Sequence, residues 1–120
     1  MSHYRKEIGT TGESLAEAHL RKAGYTIVER NFRCPYGEVD LIALEKDTIV
    51  FVEVKARMSE DAGSPFEAVG PHKQRQIARV AQYYLRRERL LDRRVRFDVI
   101  GIVWDEGEAR IELLRDAFWA

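Results

Sequence analysis

The segments GEVDLIAL (residues 37–44) and IVFVEVK (residues 49–55) determine how the chain folds. Both are dominated by β-branched, aromatic and other apolar residues, which favour strands, and the polar residues between them predict a hairpin. Ionisable groups nevertheless interrupt both segments, Asp40 in the first and Glu53 and Lys55 in the second. Because residues two apart on a strand share a face, Glu53 and Lys55 should project side by side.

These three charges need compensation, because burying an unpaired carboxylate or ammonium in an apolar strand is costly. Hairpin-linked strands lie about 5 Å apart, so Asp40 and Glu53 can converge on one divalent cation with Lys55 beside it. The residues alone leave structural alternatives open. Glu53 and Lys55 could form the polar face of an edge strand or a buried ion pair, and Asp40 could pair with one of the arginines.

Periodicity and turn residues around this stretch predict the element order α-β-β-β-α-β-β in a single domain, residues 1–120. Residues 1–9 are polar and are expected to be flexible. Thr10 or Thr11 can cap a first helix that ends at Gly24. Glu13 and Glu17 lie in the first turns of this helix, where they would complement its dipole. Glu13 could instead lean over the site formed by the two strands.

The remaining elements follow from the same patterns. We expect strands over residues 25–30, 38–44, 48–56, 94–104 and 109–114, and a second helix from Pro71 to residue 89 or 90. Residues 57–70 form a loop of the length that often serves as a functional lid. The last apolar residues, 117–119, should dock onto the core.

Composition is typical of a soluble globular protein, with 45% hydrophobic and 33% charged residues. No apolar run is long enough to span a membrane and the N-terminus has no signal-like segment, so we expect a cytoplasmic protein without a membrane partner.

The single cysteine, Cys34, fits a reducing compartment. His3, His19 and His72 do not have the spacing of a zinc site.

The charge distribution is uneven although the net charge is zero. Residues 73–96 contain nine basic and two acidic residues, so this segment carries about +7 and the rest of the chain about −7. A nucleic-acid-binding face opposite an acidic pocket would have this distribution, and so would a helix with an ordinary solvated surface. Lys73, Arg75 and Arg79 near the start of the second helix, and Arg57 after the strand that carries Glu53 and Lys55, are the candidate phosphate contacts.

The same residues resemble a known family. Glu13 in the first helix, Asp40 in GEVDLIA, Glu53 and Lys55 in VFVEVKAR, a basic helix and then RFDVIGI are similar to the YraN family. That family belongs to the PD-(D/E)xK nuclease superfamily and is similar to archaeal Holliday-junction resolvases and RecB-type nuclease domains. The RecB-type Gln-x-x-x-Tyr element is absent, because Ala78 and Val80 follow Gln74 and Gln76 at that spacing.

The resemblance implies an α/β, restriction-endonuclease-like mixed sheet of about five strands flanked by helices. It also implies phosphodiester hydrolysis assisted by Mg²⁺ or Mn²⁺, with nucleic acid, most simply DNA, as the partner. Asp40, Glu53 and Glu13 would be metal ligands, and Lys55 would orient or help deprotonate the attacking water. Similarity to the resolvases suggests a homodimer, although the sequence identifies no interface.

Two functions therefore remain open. The first is a metal-dependent nuclease acting on structured, branched or single-stranded DNA, which the Glu13, Asp40, Glu53 and Lys55 set favours. The second is a non-catalytic nucleic-acid-binding or adaptor protein on a nuclease fold, which the neutral overall charge and small size favour.

Overall fold

A five-stranded mixed sheet with a helix against each face forms the architecture in the computed structural model, which describes residues 2–58 and 65–119. Side chains are described within residues 12–58 and 66–119, apart from residue 68. The elements are α1 (Ser2–Lys22), β1 (Tyr25–Cys34), β2 (Gly37–Glu45), β3 (Thr48–Met58), a short 3₁₀ helix (Pro65–Ala68), α2 (Pro71–Arg87), β4 (Arg94–Asp105) and β5 (Glu108–Leu114). The predicted α/β class and element order are confirmed.

The strands lie in the order β1-β2-β3-β4-β5. The first three form an antiparallel meander, as predicted, and β5 pairs antiparallel with β4. The chain returns through α2 so that β4 pairs parallel with β3, in a register that runs from Thr48↔Arg94 to Met58↔Trp104. Strand β3 is therefore the centre of the sheet, which explains why its sequence is so apolar.

Two buried clusters lie on opposite faces of the sheet because alternate residues of each strand point in opposite directions. Helix α2 covers the face that carries Phe51 and Phe97, and contributes Ile77, Val80 and Tyr84. Helix α1 covers the other face, where its buried residues Ala16 and Leu20 meet Val50, Val52 and Ile100. None of the described helices is both long and apolar enough to cross a membrane.

The ends of several elements differ from the prediction. Helix α1 begins at Ser2, so the predicted cap at Thr10 or Thr11 is wrong, and the helix includes the segment expected to be flexible. The physical reason is that no proline interrupts residues 2–11. Strand β1 continues to Cys34, past its predicted end at residue 30. In the predicted loop, residues 57–58 belong instead to β3 and residues 65–68 to the 3₁₀ helix, while residues 59–64 lie outside the described residues.

The C-terminal residues dock only in part. Phe118 is buried and stacks on Phe97 with ring centroids 5.1 Å apart, while the Ala117 amide donates a hydrogen bond to the Phe97 carbonyl. Trp119 is 86% exposed, so the expectation that it packs on the core is wrong. Successive side chains of an extended segment point in opposite directions, which turns Trp119 outward once Phe118 faces in.

A buried carboxylate that the sequence analysis did not single out joins the ends of three strands. Asp98 on β4 is fully buried and accepts four hydrogen bonds, from the Tyr25 hydroxyl at 2.6 Å, from Arg96 Nε and Nη2, and from the Asp116 amide. Arg96 also donates to Glu45 at 2.7 Å. Burial and the Asp98 hydrogen bond raise the pKa of Tyr25 to about 12. Every interaction here is short and directional, which is typical of a structural network.

We predict that Asp98→Ala destabilises the fold by about 3 kcal/mol, because it leaves Arg96 and Tyr25 without their buried acceptor. Urea unfolding followed by circular dichroism measures the change. Glu112→Ala is the matched control, since Glu112 is an exposed acid whose contact with Arg110 is 3.5 Å long, and exposed pairs contribute about 0–1 kcal/mol. Equal losses in the two variants would contradict the structural role of Asp98.

Candidate active site

Two reciprocal hydrogen bonds link Asp40 to the central strand. The backbone register between β2 and β3 runs from Glu45↔Thr48 to Leu41↔Val52. At the next position the Val54 amide donates to Asp40 Oδ2 at 2.7 Å, and the Asp40 amide donates to Glu53 Oε1 at 3.3 Å. Side-chain carboxylates thus take the place of backbone carbonyls as acceptors where the two strands separate.

An irregularity in β2 turns Asp40 toward β3. Val39 packs in the cluster under α2, whereas Leu41, two residues later, packs in the cluster under α1. Residues two apart in a regular strand share a face, so the alternation breaks between them. On the neighbouring strand, Asn31 lies between the paired positions Arg30 and Phe32 and has a φ of 50°. The distortion therefore extends across both strands.

Glu53 is the most deeply buried acid at this end of the sheet, with only 3% of its surface exposed. Lys55 Nζ lies 3.7 Å and Lys73 Nζ 3.8 Å from the same oxygen, Glu53 Oε2. Both separations are longer than a charge-assisted hydrogen bond, which is typically about 2.7–2.9 Å. The lysines therefore compensate the charge of Glu53 without donating a close hydrogen bond to it.

The pKa values of both carboxylates are raised in the folded protein. Burial and the charge of Asp40 raise the pKa of Glu53 to about 7, against the opposing effect of Lys73 and Lys55. Burial also raises the pKa of Asp40, although the Val54 amide and the two lysines act in the opposite direction. A pair of acids held this close is a poor structural element, and perturbed pairs of this kind are concentrated at functional sites.

Glu13 reaches the site from the other face of the sheet. Its side chain is exposed, yet burial and then the charge of Asp40 raise its pKa. The preceding residue, Gly12, lets α1 approach the sheet, since a Cβ placed there would lie 3.2 Å from the Ala56 Cβ. The structure therefore brings Glu13 within electrostatic range of Asp40.

The donor set fits a hard divalent cation. Mg²⁺ is usually held by one or two carboxylates, with water and substrate phosphate completing its shell. Asp40 and Glu53 supply two converging carboxylates of which one is fully desolvated. Within residues 12–58 and 66–119, no three His, Cys, Asp or Glu side chains converge on one metal position. Glu13 is therefore not gathered into a preformed three-ligand group with Asp40 and Glu53.

The four predicted phosphate contacts occupy different environments. Lys73 lies inside the site, closer to the carboxylates than the sequence suggested. Arg75 and Arg79 are exposed on α2. Arg57 is two residues beyond Lys55 on β3, and its Nε atom is buried with no hydrogen-bond partner among the described residues.

Gln76 also lies beside the site, which sequence reasoning did not establish. It packs so closely on Gly37 that a Cβ on that residue would lie 2.6 Å from Gln76 Nε2. Gln76 and Lys73 line an open cleft of about 400 Å³ together with Arg33, Cys34, Gly37 and Glu38. The only sequence signal was the three-residue spacing of Lys73 and Gln76 off the apolar stripe of α2.

Comparison with known proteins assigns the family. Residues 12–102 match the model of a family described as "Uncharacterised protein family UPF0102". The chain belongs to that family. A UPF0102 protein of Syntrophus aciditrophicus is 49% identical over 92% of this chain and 87% of its own length. A relative from Clostridium perfringens is 44% identical over 98% of each chain. The resemblance to the YraN family is thereby confirmed at the level of the family.

One solved structure has a weak similarity to this protein. The chain of Pyrococcus furiosus SfsA in complex with Ca²⁺ aligns over 92% of this UPF0102 protein and 63% of that chain. The sequence identity is 16% and the TM-score is 0.37, a likeness too weak to indicate a function. The function of this UPF0102 protein has to be inferred from the geometry of its site.

We predict that Glu53→Gln stabilises the protein at pH 8 by about 2–3 kcal/mol and has little effect near pH 5. The pKa of Glu53 is about 7 in the folded state against 4.5 as the ordinary value, so the folded state holds a proton that the unfolded state has released. The contribution of Glu53 to the free energy of unfolding is therefore fully present below pH 4.5 and is lost as the pH rises through 7. Each unit of difference between the two pKa values corresponds to about 1.4 kcal/mol.

Chemical unfolding at the two pH values measures this difference. Glu108→Gln is the matched control, because Glu108 is exposed at the start of β5. A Glu53→Gln variant that is less stable than the original protein at pH 8 would show that the lysine contacts outweigh desolvation.

Proposed function

We propose that this protein is a metal-dependent nuclease of the PD-(D/E)xK superfamily that hydrolyses phosphodiester bonds in structured, branched or single-stranded DNA. The observation that carries the proposal is the Asp40–Glu53 pair, joined across β2 and β3 at the end of the sheet. Two ammonium groups lie within 4 Å of that pair. Clustered acids beside cations, with an open cleft next to them, are the arrangement that phosphate chemistry requires.

Asp40 and Glu53 would hold Mg²⁺ or Mn²⁺, and the Val54 carbonyl is a further oxygen donor of the same strand. When bound, the ion would supply Lewis-acid polarisation of the phosphate and a lowered pKa for an attacking water. Glu13 is placed to act from the exposed side, as a third acid that positions water or completes the ligand shell. Its raised pKa supports a role close to Asp40.

Lys55 and Lys73 would stabilise the negative charge that develops on the phosphate. Both ammonium groups now face Glu53 Oε2 at separations longer than a hydrogen bond, so they can turn to phosphate oxygens at little cost. Lys55, which is adjacent to Glu53 on the same strand face, is also placed to orient the attacking water. Lys73 adds a second cation from α2, a role that the sequence predicted only as a phosphate contact.

Basic side chains outside the centre would bind the nucleic-acid backbone. Arg75 and Arg79 are exposed on the same helix as Lys73, and Arg57 follows Lys55 on β3. Each phosphate contact of this kind releases counterions and makes binding sensitive to salt. Among the described residues the buried Nε atom of Arg57 has no hydrogen-bond partner, which supports a hydrogen bond to a ligand at the end of β3.

A non-catalytic DNA-binding or adaptor role is the second candidate. It is favoured by the two lysines that already compensate Glu53, and by the lack of a three-ligand metal group in residues 12–58 and 66–119. In that case salt-sensitive DNA binding would survive the loss of Asp40 and Glu53, and adding metal would produce no cleavage.

We predict that the purified protein cuts branched or single-stranded DNA with Mg²⁺ or Mn²⁺, and that Asp40→Asn, Glu53→Gln and Lys55→Ala each lower the rate by about 100-fold or more. Losing one group that stabilises transition-state charge typically has an effect of about this size. Gel analysis of labelled substrates measures the rates. Glu112→Gln and Lys22→Ala are matched controls, because both residues are exposed and outside the site.

The same low activity in the original protein and in all three site variants would identify a contaminating nuclease. Metal-independent DNA binding with no cleavage by any preparation would support the adaptor role and contradict the nuclease.

A further inference from the structure

A second surface on the side of α2 combines two exposed tyrosines with arginines. We call it the tyrosine–arginine cleft, and it measures about 570 Å³. Its lining residues are Tyr36, Arg79, Gln82, Tyr83, Arg86 and Arg87. No acidic residue is among them.

The tyrosine rings are presented to solvent on a fixed support. Tyr36, in the turn between β1 and β2, is 52% exposed, and Tyr83 on α2 is 36% exposed. Their ring centroids are 6.3 Å apart with an interplanar angle of 66°. The ring centroid of the buried Phe32 also lies 6.3 Å from that of Tyr83. Large, half-exposed rings that are held in place offer flat faces for stacking at low entropic cost.

Two of the arginines are available for a ligand. Arg87 is engaged, because it pairs with Glu88 at 3.0 Å and lies over the Phe32 ring at 4.9 Å. Neither Arg79 nor Arg86 forms an ion pair within the part of the chain that the structure describes. The cleft therefore presents unpaired positive charge beside aromatic faces, which is the combination that binds single-stranded nucleic acid.

The cleft continues from the candidate active site. Tyr36 directly precedes Gly37, which lines the smaller cleft with Lys73 and Gln76. Along α2, Tyr83 follows Lys73 by ten residues, a rise of about 15 Å at 1.5 Å per residue. A strand that places one phosphate at Lys73 and Glu53 can therefore reach the tyrosines within a few nucleotides.

From this placement we infer that the tyrosine–arginine cleft binds unpaired nucleotides of the substrate strand, with bases stacked on Tyr36 and Tyr83 and phosphates on Arg79 and Arg86. Bases in a continuous duplex have both faces covered by their neighbours, so they cannot stack on these rings. The substrate class is accordingly a strand with a single-stranded segment, such as a flap, a splayed branch or a free end. The inference rests on the proposed nuclease function for the path of the strand, whereas binding itself is independent of catalysis.

Binding is tested without metal, by fluorescence anisotropy with a labelled 15-nucleotide oligothymidylate, the matching RNA oligomer and a blunt duplex of the same length. We expect Tyr36→Ala and Tyr83→Ala each to weaken single-strand binding by about fivefold to a hundredfold, the range for loss of one stacked base, with duplex binding unchanged. Tyr83→Phe keeps the ring and should bind normally. Trp119→Ala is the matched control, because it removes an exposed aromatic residue outside the cleft.

The arginines are tested through the salt dependence of the same binding. Arg79→Ala and Arg86→Ala should each reduce the slope of log affinity against log salt by about 0.7, the value for one phosphate contact on a single strand. Arg110→Ala on β5, which removes an exposed arginine outside the cleft, should leave the slope unchanged.

The outcomes separate this inference from the proposed function. Single-strand binding that Tyr36→Ala and a folded Tyr83→Ala leave unchanged overturns the inference, even if the protein cleaves DNA. Binding that depends on both rings supports it, even if no preparation cleaves and the nuclease proposal fails. Polyglutamate that binds as tightly as the oligonucleotide, with the same dependence on the tyrosines, would identify an acidic-peptide site and overturn it.

Discussion

The reciprocal link between Asp40 and β3 is the constraint on which the rest of the site depends. The sheet needs an acceptor for the Val54 amide where the backbone pairing of β2 and β3 ends at Leu41↔Val52, and the Asp40 carboxylate provides it at 2.7 Å. The Asp40 amide in turn donates to Glu53. One local exchange of hydrogen bonds therefore holds two carboxylates together where β2 and β3 separate, beside Lys55 and Lys73, which both lie against Glu53 Oε2.

The two buried acids of the sheet, Asp98 and Glu53, differ in how many close hydrogen bonds their carboxylates accept from the described residues. Asp98 accepts four short hydrogen bonds, so little of its acceptor capacity is left for anything else. Glu53 accepts one backbone hydrogen bond of 3.3 Å, and its lysine neighbours stay at 3.7 and 3.8 Å. In a buried network that stabilises a fold, the hydrogen-bonding atoms are fully satisfied. Among the described residues Glu53 has few hydrogen-bond donors although it is buried, which supports the proposal that this site receives a ligand.

Sequence patterns predicted the element order and the start of α2 at Pro71, because these follow from local periodicity and turn chemistry. They also placed Glu53 and Lys55 on one face and brought Asp40 near them. They did not predict that β3 lies at the centre of the sheet, which depends on its parallel pairing with the distant β4. The irregularity at Asp40, with Asn31 opposite, could not be predicted because it breaks the two-residue alternation on which strand assignment depends. The reach of Lys73 to Glu53 and the network around Asp98 depend on residues distant in sequence, for which periodicity carries no signal.

The central claim is that Asp40 and Glu53 together form a divalent-cation site. Isothermal titration calorimetry of Mn²⁺ and Mg²⁺ into the protein, into Asp40→Asn and into Glu53→Gln tests it most directly, with Glu112→Gln as control. The account predicts one cation per chain in the original protein and in the control, and loss of that binding in either site variant. Equal binding by all four proteins, or no binding by the original protein even with a non-cleavable single strand present, would contradict it.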